Sequence, residues 1–421
     1  MAELTLAVDQ RAADSAGLIW RIAWRNLWRN PRRTWLTAGG IAFATLLVSL
    51  GMTVQAGSYS AMIASATEFL DGHIQISHPR YAEEEKLEQL LPDGTALMRG
   101  LAAVPGIEAA PRVAAFALVS AGERSFGGLV MGVDFEAEQR VVNFFSGVSQ
   151  GRLPVADDEV VIGQALARNL GVGLDDEIVV LGSANEGGVG AMALNISGIF
   201  DSGQSEIDRL MMFTHLPAVQ NAFALGDGLH VIAIRTMALN RVAEDVARIQ
   251  AVLPAGLDAS VRPWQLVMRD VVEAIEFDRI GGRLMYGAVL VLVAFSVVST
   301  FLMIVFERTR EFGMLLAIGM RPGLIVRQVL YEASCLWLVG TGVGLLLVGV
   351  FVGYLAATGI PIDGMEELAN SFFLDDRIYP EFTVGALATA PLVLLVGTQL
   401  AGLFATRRVR RIQPVTALRV E

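Results

Sequence analysis

The sequence predicts an α-helical membrane protein with four transmembrane helices and a large α+β domain outside the membrane. Hydrophobic residues fill 53% of the 421 positions and the mean hydropathy is +0.52, which is too apolar for a soluble chain. Four uncharged stretches are long enough to cross a hydrocarbon core of ~30 Å, which takes about 20 helical residues. They occupy residues 34–67, 284–306, 333–362 and 382–406. The mixed segment 68–272 is long enough to fold around a core of its own.

Arginine residues orient this arrangement. They concentrate before the first helix, between the second and third, and after the fourth, where the basic tail begins at Arg407. Basic residues in short loops near helix ends mark the cytoplasmic side. The connection 363–381 carries only Arg377 against six acidic residues, so this connection and the large domain should face outward. The basic inner face suits anionic membrane lipid, and the acidic outer segments, in a chain of net charge −11, argue against a nucleic-acid partner.

Short strand and helix patterns alternate in the large domain. A strand-helix-strand series occurs twice, at 74–77, 93–103 and 113–119 and again at 230–235, 239–252 and 259–262. Two such units predict one α+β subdomain built from both ends of the segment, with a second, strand-rich subdomain inserted between them.

The first apolar stretch would reach ~51 Å as one helix, so it should continue outward as a stalk, with a second stalk descending into the second helix. The predicted organisation is an N-terminal segment with an interfacial helix (1–33), transmembrane helix 1 and stalk (34–67), the outer domain (68–120 and 229–272, with the insertion 121–228), stalk and helix 2 (273–306), a cytoplasmic coupling helix (307–332), helix 3 (333–362), an outer loop (363–381), helix 4 (382–406) and a basic tail (407–421).

Two tryptophan and arginine series precede the first helix. Each repeats every four residues, and the members are Trp20, Trp24 and Trp28 with Arg21, Arg25 and Arg29. Tryptophan at headgroup level beside arginine predicts an amphipathic helix lying in the membrane interface. The alternative is an ordinary basic flank of a membrane helix.

A short amphipathic segment lies between the second and third apolar stretches. Charged residues from Glu307 to Glu311 are followed by Met314, Leu315, Ala317 and Ile318 at helical spacing, and then by a stop at Gly319. Because membrane segments flank it closely on both sides, this helix should lie along the membrane surface. It is the predicted coupling element.

Four stretches resemble the FtsX-like permease family, the MacB and LolC/LolE type (type VII) of ABC-transporter membrane subunit. They are AWRNLWRNPRRT at 23–34, RTREFGMLLAIGMRPGLIVRQVLYEA at 308–333, RRVRRIQPVTALRVE at 407–421 and GRLPVADDEVVIGQALARNLGVGLDDEIVVL at 151–181. The resemblance implies a periplasmic domain with porter-like and sabre-like subdomains on a bacterial inner-membrane protein. It also implies that the segment after the second helix contacts the ATPase. Carried over, the ATPase-coupling residues are Glu307, Arg308, Arg310, Glu311, Phe312, Gly313, Met314, Ala317, Gly319 and Arg321.

The resemblance further implies partners: a cytoplasmic ABC ATPase dimer, a second permease subunit that is this chain or a close relative, membrane lipid, and a periplasmic chaperone, adaptor or hydrolase. A phosphate-binding loop needs a lysine, and the only lysine here is Lys86, in EEEKLEQL. We therefore expect ATP and Mg to be bound by a separate ATPase, with no cofactor in this chain.

Catalytic and metal sites are not predicted. Residues 147–151 match the nucleophile-elbow pattern G-x-S-x-G, but Arg152 and Pro154 follow instead of a helix, which favours a surface turn. The histidines have no metal-ligand spacing. The sequence thus predicts a non-catalytic permease subunit of an ATP-driven mechanotransmitting transporter acting on a lipoprotein, lipid or other amphiphile. The alternative is an FtsX-like regulatory scaffold that activates a periplasmic cell-wall hydrolase.

Overall fold

The computed structural model describes residues 17, 19–185, 187–361 and 377–407. The predicted N-terminal segment up to residue 16, most of the loop 363–381 and the tail from residue 408 lie outside the described residues. The chain divides into two compact units, of which one is helical and the other, Ala61–Ala274, contains the large sheet.

The helices of the described chain are α1 (19–27), α2 (Pro31–Ala66), α3 (Tyr81–Glu84), α4 (Gly94–Leu101), α5 (Phe135–Val141), α6 (Gln164–Leu170), α7 (Ser205–Leu210), α8 (Leu216–Ala222), α9 (Val242–Val252), α10 (Trp264–Val267), α11 (Arg269–Glu307), α12 (Thr309–Ala317), α13 (Pro322–Thr358) and α14 (Val384–Thr406). The strands are β1 (Ile74–Ser77), β2 (Ile107–Ala121), β3 (Arg124–Val133), β4 (Val148–Gly151), β5 (Glu159–Gly163), β6 (Glu177–Ser183), β7 (Val189–Phe200), β8 (Met211–His215), β9 (Val231–Thr236), β10 (Ser260–Pro263), β11 (Ile360–Pro361) and β12 (Arg377–Ile378).

Four described helices, α2, α11, α13 and α14, are long and apolar enough to cross a membrane, as predicted. Buried Ile41, Val297, Phe301 and Leu394 belong to the core of this helical unit. Helices α2 and α11 contain 36 and 39 residues. Both are longer than the ~20 residues that a bilayer needs, which agrees with the predicted stalks.

The third membrane helix begins earlier than predicted, at Pro322 rather than at residue 333. Proline at the first helical position has its φ fixed for the helix and loses no hydrogen bond there, and Arg321 before it is extended. The prediction stopped at Glu332 because a charge usually ends a membrane segment, whereas here Glu332 is buried and paired. The predicted coupling helix 307–332 is therefore two elements, α12 and the first turns of α13.

Glycines of α13 allow it to pack closely against α2. A Cβ atom at Gly340 would lie 2.7 Å from Cβ of Ile41, and one at Gly344 would lie 2.7 Å from Cβ of Thr45, so only glycine fits at either position. This small-x-x-x-small pair is used for packing within one chain.

The outer domain contains one ten-stranded sheet. The predicted strand 74–77 is β1, with the same bounds. The other predicted strands and helices are present as β2, β9, β10, α4 and α9, and their ends differ from the predicted ones. Strand β2 has 15 residues, more than twice the predicted length, because it pairs with β9 at its beginning and with β3 and β6 further on. The sheet therefore passes through both predicted subdomains, and the boundary at 120/121 falls at the β2–β3 hairpin.

Each face of the sheet is covered differently. One face carries the large aliphatic core around Ile76, Val113 and Ile232. The other carries a phenylalanine cluster that includes Phe144 and Phe213, whose ring centroids are 4.9 Å apart. A buried ion pair lies on this second face, where Nε and Nη2 of Arg112 donate to the two carboxylate oxygens of Glu138 at 2.6 and 2.7 Å. Bidentate pairing satisfies the charges of both side chains.

His230 should make the outer domain sensitive to acid. Its ring is fully buried, stacks on Tyr81 at 4.8 Å, accepts from the Ala114 N–H at Nδ1 and contacts the Leu87 carbonyl through Nε2. Burial lowers the pKa of His230 from 6.5 to about 4, although the bond to Leu87 opposes this shift. If Nδ1 were protonated, its N–H would face the Ala114 N–H, and the hydrogen bond between them would be lost. The folded protein therefore favours the neutral ring of His230. The stability that this ring contributes is fully present above pH 6.5 and is lost as the pH falls towards 4.

We expect ~3 kcal/mol of unfolding free energy to be lost over this pH range, since each pKa unit is worth 1.36 kcal/mol. The apparent melting temperature of the parent protein and of His230→Gln would be compared at pH 7.5 and 4.5. Glutamine can donate and accept like the neutral ring, so the variant should show a smaller acid loss than the parent. Equal losses in both proteins would contradict the role of His230.

Candidate coupling site

Helix α12 ends as the sequence predicts. The Met320 N–H donates to the Leu315 carbonyl and the Gly319 N–H to the Leu316 carbonyl, both at 3.0 Å. This pair of bonds is the Schellman arrangement, which needs a residue with positive φ after the helix. Gly319 supplies it with φ +98°. The short helix is therefore a closed unit and does not run on into α13.

Helix α12 has one face packed inside the helical unit and one exposed face. Phe312 is fully buried in the same core as Phe301, and Gly313 is buried beside it. On the other side, Met314 is 47% exposed and Ile318 is 85% exposed. Large apolar side chains at such exposure indicate a surface that lipid or a partner can cover.

An ionic centre anchors the start of α12. Arg308, whose side chain is only 12% exposed, donates from Nη1 to both oxygens of Glu332 at 2.8 and 3.0 Å. Its Nε donates to Glu311 at 3.0 Å. Because Glu332 lies on α13 and Glu311 on α12, one arginine ties the two helices together.

The same centre reaches the N-terminal part of the chain. The amide of Asn26 donates to Glu332 at 2.8 Å, Arg29 donates to Glu311 at 2.7 Å, and Arg33 pairs with Glu307. The hydrogen bond from Arg29 holds the pKa of the Glu311 carboxyl below its usual range. Burial opposes this shift, and the hydrogen bond from Arg308 adds to it. Glu311 therefore stays a carboxylate to a lower pH than an ordinary glutamate does.

A polar cavity of about 70 Å³ lies within this centre. Its lining includes Asn30, Thr37 and Thr300 together with the charged residues of the centre. It is large enough, and has enough polar partners, to hold water.

The structure divides the ten residues that the sequence assigned to ATPase coupling. Phe312 and Gly313 are buried within the chain, so they cannot contact a partner in this arrangement. Arg308, Glu307 and Glu311 form the ionic centre. The remaining members, Arg310, Met314, Ala317, Gly319 and Arg321, are all exposed, and Glu307 of the ionic centre is exposed as well.

Sequence reasoning missed Glu332, Asn26 and Arg33 as members of the site. Glu332 had a signal, because a carboxylate directly beside an uncharged membrane stretch is expensive and usually has a partner. Asn26 had none, since its contact with Glu332 joins residues 306 positions apart.

The predicted interfacial helix is shorter than its tryptophan series. Helix α1 ends at residue 27, so Trp28 and Arg29 lie in the turn before α2. The rings of Trp20, Trp24 and Trp28 are each more than one third exposed, and Arg21 and Arg25 are exposed beside them. The ring of Trp28 contacts Trp24 and Trp35 with centroid distances of 6.0 and 5.8 Å. Tryptophan and arginine thus share an exposed surface, as an interfacial helix requires.

Polar bonds also join helices α2 and α11, which contain the predicted stalk segments. Asp278 on α11 accepts from the Gln55 amide and from the Tyr59 hydroxyl of α2, both at 2.7 Å. Arg279 lies over the Tyr59 ring at 5.7 Å. Helices α2 and α11 are therefore tied to each other beyond their apolar packing.

The sequence predicts a surface turn at the serine pattern 147–151, and this prediction is wrong. Residues 148–151 form the edge strand β4, and Gly147 directly precedes it. The Ser149 hydroxyl donates to the Ile199 carbonyl of β7 at 3.1 Å. Strand pairing with β7 extends the chain here, whereas a nucleophile elbow would need a sharp turn into a helix.

Comparison with known proteins identifies the class to which this fold and site belong. The family model for the MacB-like periplasmic core domain matches residues 34–252, and the model for the FtsX-like permease C-terminal matches residues 283–414. The chain belongs to the FtsX-like permease family with a MacB-like periplasmic core domain. It is a multi-pass ABC transporter permease subunit, a membrane component rather than a catalyst.

Its relatives include the lipoprotein-releasing system transmembrane protein LolC of Xylella fastidiosa (strain 9a5c), which is 25% identical over 90% of this chain and 94% of its own length. LolC of Neisseria meningitidis serogroup B (strain MC58) is 22% identical over 91% of this chain and 95% of its own length. The macrolide export ATP-binding/permease protein MacB 1 of Aeromonas hydrophila is 32% identical over 30% of this chain and 17% of its own length.

Proposed function

We propose that this permease subunit works in an ATP-driven transporter that extracts or exports a lipoprotein, lipid or other amphiphile from the outer face of the bacterial inner membrane. A separate cytoplasmic ATPase dimer binds the exposed face of α12 and supplies ATP and Mg. The observation that carries this proposal is the construction of α12, a closed helix with an exposed apolar face and a base held by Arg308, Glu311 and Glu332.

Such a helix is suited to passing on a force. An ATPase that moves α12 would pull on Arg308, and through Glu332 it would pull on α13. Arg29, in the turn before α2, pairs with Glu311 and would carry the same displacement to α2, while Arg33 of α2 pairs with Glu307 at the end of α11. Because ion pairs and packed side chains resist separation, the helices follow α12 rather than slide past it.

The stalks offer the next step of the path. The Asp278 bonds to Gln55 and Tyr59 make α2 and α11 move together. Both helices are continuous from the membrane stretch into the stalk. A displacement at the cytoplasmic end of such helices reaches their other end without a hinge.

The proposed substrate class follows from the named relatives. LolC proteins align along nearly their whole length and are named for lipoprotein release. A second permease subunit, either this chain or a close relative, is part of the proposal because four helices are too few to enclose a path. A periplasmic chaperone or adaptor would receive the cargo.

Copurification in mild detergent tests this function. Mass spectrometry of the permease with its ATPase should find acylated protein or lipid in amounts stoichiometric with the complex. A stoichiometric cell-wall hydrolase without acylated cargo would contradict transport and would support the regulatory scaffold.

The proposed orientation gives a further prediction. Reporter fusions after Gly203 and within 364–376 should be active only outside the cytoplasm, because the short basic segments beside the membrane helices mark the opposite side, and the connection 363–381 holds only Arg377. Fusions after Gly319 and after Glu421 should report inside. A cytoplasmic report from Gly203 would overturn the orientation and, with it, the coupling mechanism.

A further inference from the structure

A cavity of about 410 Å³ opens on the second face of the outer domain's sheet. Its floor contains two cross-strand pairs, Ala114 with Met131 and Phe116 with Leu129, contributed by β2 and β3. The volume lies in the range of roughly 300–1,000 Å³ found for small-molecule sites. The coupling site has no part in it.

The apolar floor continues beyond the cavity as an exposed strip of four side chains, Phe116, Leu118, Val179 and Leu181, here called the apolar strip. Leu118 pairs with Leu181, and Val179 pairs with Ser120, which lies two residues after Leu118 on β2. Alternate residues of a strand share a face, so the four side chains point to the same side of the sheet. Phe116 is 68% exposed and Leu118 is 46% exposed. An exposed apolar strip that leads into a cavity indicates a binding surface.

Arg262 gives the cavity a charged end. It is the cross-strand partner of Gln75, and both side chains line the cavity. Its Nε atom is buried without a hydrogen-bond partner, while Nη2 contacts the Ser77 hydroxyl at 3.4 Å. Within the described ranges, Arg262 makes no ion pair with any carboxylate.

The other charged groups of the lining are Arg112, Asp71 and Glu85, and among the described residues neither carboxylate forms an ion pair with Arg262. Arg112 is already paired with Glu138. Asp71 accepts from the Gln75 amide at 3.0 Å and, in the described part of the chain, forms no ion pair with Arg262. Burial and then the nearby Arg269 charge lower the pKa of Arg262, although the Asp71 charge opposes this shift. A buried donor without a partner is costly, and an anion would remove that cost.

We propose that this cavity binds a single-chain anionic amphiphile. The alkyl chain lies on the apolar strip and the cavity floor, and the carboxylate or phosphate head accepts from Arg262. This inference deepens the proposed function and rests on it for its biological role, because it places a substrate-binding site in the outer domain.

The test uses the full-length protein in nanodiscs of neutral phospholipid. The probe is a palmitate analogue with a photoreactive diazirine in its chain, and the neutral comparison is the matching hexadecanol. Palmitate should label peptides of β2 and β3 saturably and at least tenfold more tightly than the alcohol. Inorganic phosphate in excess should not compete, since it has no chain.

Three variants locate the two ends of the ligand. Arg262→Gln should weaken palmitate binding about tenfold and leave alcohol binding unchanged. Leu118→Gln, at an exposed position, and Ala114→Trp, on the cavity floor, should each weaken both probes. Arg168→Gln is the matched control, because this arginine is exposed on α6, does not line the cavity and donates a hydrogen bond to Gln164 on the same helix.

Labelling confined to the transmembrane helices, unchanged palmitate affinity in Arg262→Gln, or competition by inorganic phosphate would overturn the site. The transporter proposal fails separately. A complex that binds its ATPase and carries acylated cargo but shows no cavity labelling keeps the transporter and loses the site. A protein that labels at the cavity but binds no ATPase keeps the site and loses the transporter.

Discussion

Replacing Glu332 by leucine is expected to destabilise the helical unit by roughly 3–5 kcal/mol, because Arg308 would remain charged and largely buried with one partner fewer. Arg308→Leu should cost about as much, since it leaves the Glu332 carboxylate 6% exposed with only amide donors. Apparent melting temperatures of the variants and the parent, measured in one detergent, would show these losses.

Two further variants show whether the loss comes from the unpaired charge. In the double variant Arg308→Leu/Glu332→Leu no charge of this pair remains, so it should melt above either single variant. Arg29→Leu is the control, because Arg29 is 59% exposed and an exposed pair contributes about 1 kcal/mol or less. If the Glu332→Leu variant had the same apparent melting temperature as the parent, the ionic centre would have no role in holding α12.

Local patterns in the sequence predicted several of the elements but not the contacts between them. Uncharged length predicted the four membrane helices, and the glycine after Ile318 predicted the end of α12. The early start of α13 was missed because it depends on Glu332 meeting Arg308, which requires α12 to fold back against α13. A pattern of residues along the chain does not show that α12 packs back against α13.

The outer domain shows the same division. Alternation predicted strand β1 at its true bounds, and both β-α-β series are present. The order of strands could not be predicted, because β3 pairs in parallel with β8 and β2 pairs with three other strands. The cavity and the place of Arg262 in its lining could therefore not be predicted, because the lining residues come from strands that are far apart in the chain.

The exposed end of α12 carries the prediction with the largest functional effect. Met314→Asp and Ile318→Asp should each abolish ATPase copurification and the ATP turnover of the complex. Both side chains are exposed in the permease alone, so neither change disturbs its core. At a partner interface, however, an unpaired carboxylate costs several kcal/mol, against ~8 kcal/mol for a micromolar association.

Gly313, although part of the predicted coupling set, does not serve this test, because it is buried and a larger residue would disturb the permease itself. The matched control is Met237→Asp, which makes the same change at a methionine that is 80% exposed in the outer domain. It should copurify with the ATPase and turn over ATP like the parent. If Met314→Asp and Ile318→Asp behave like this control, the ATPase does not bind α12, and the ionic centre beneath α12 serves only to close the helical unit.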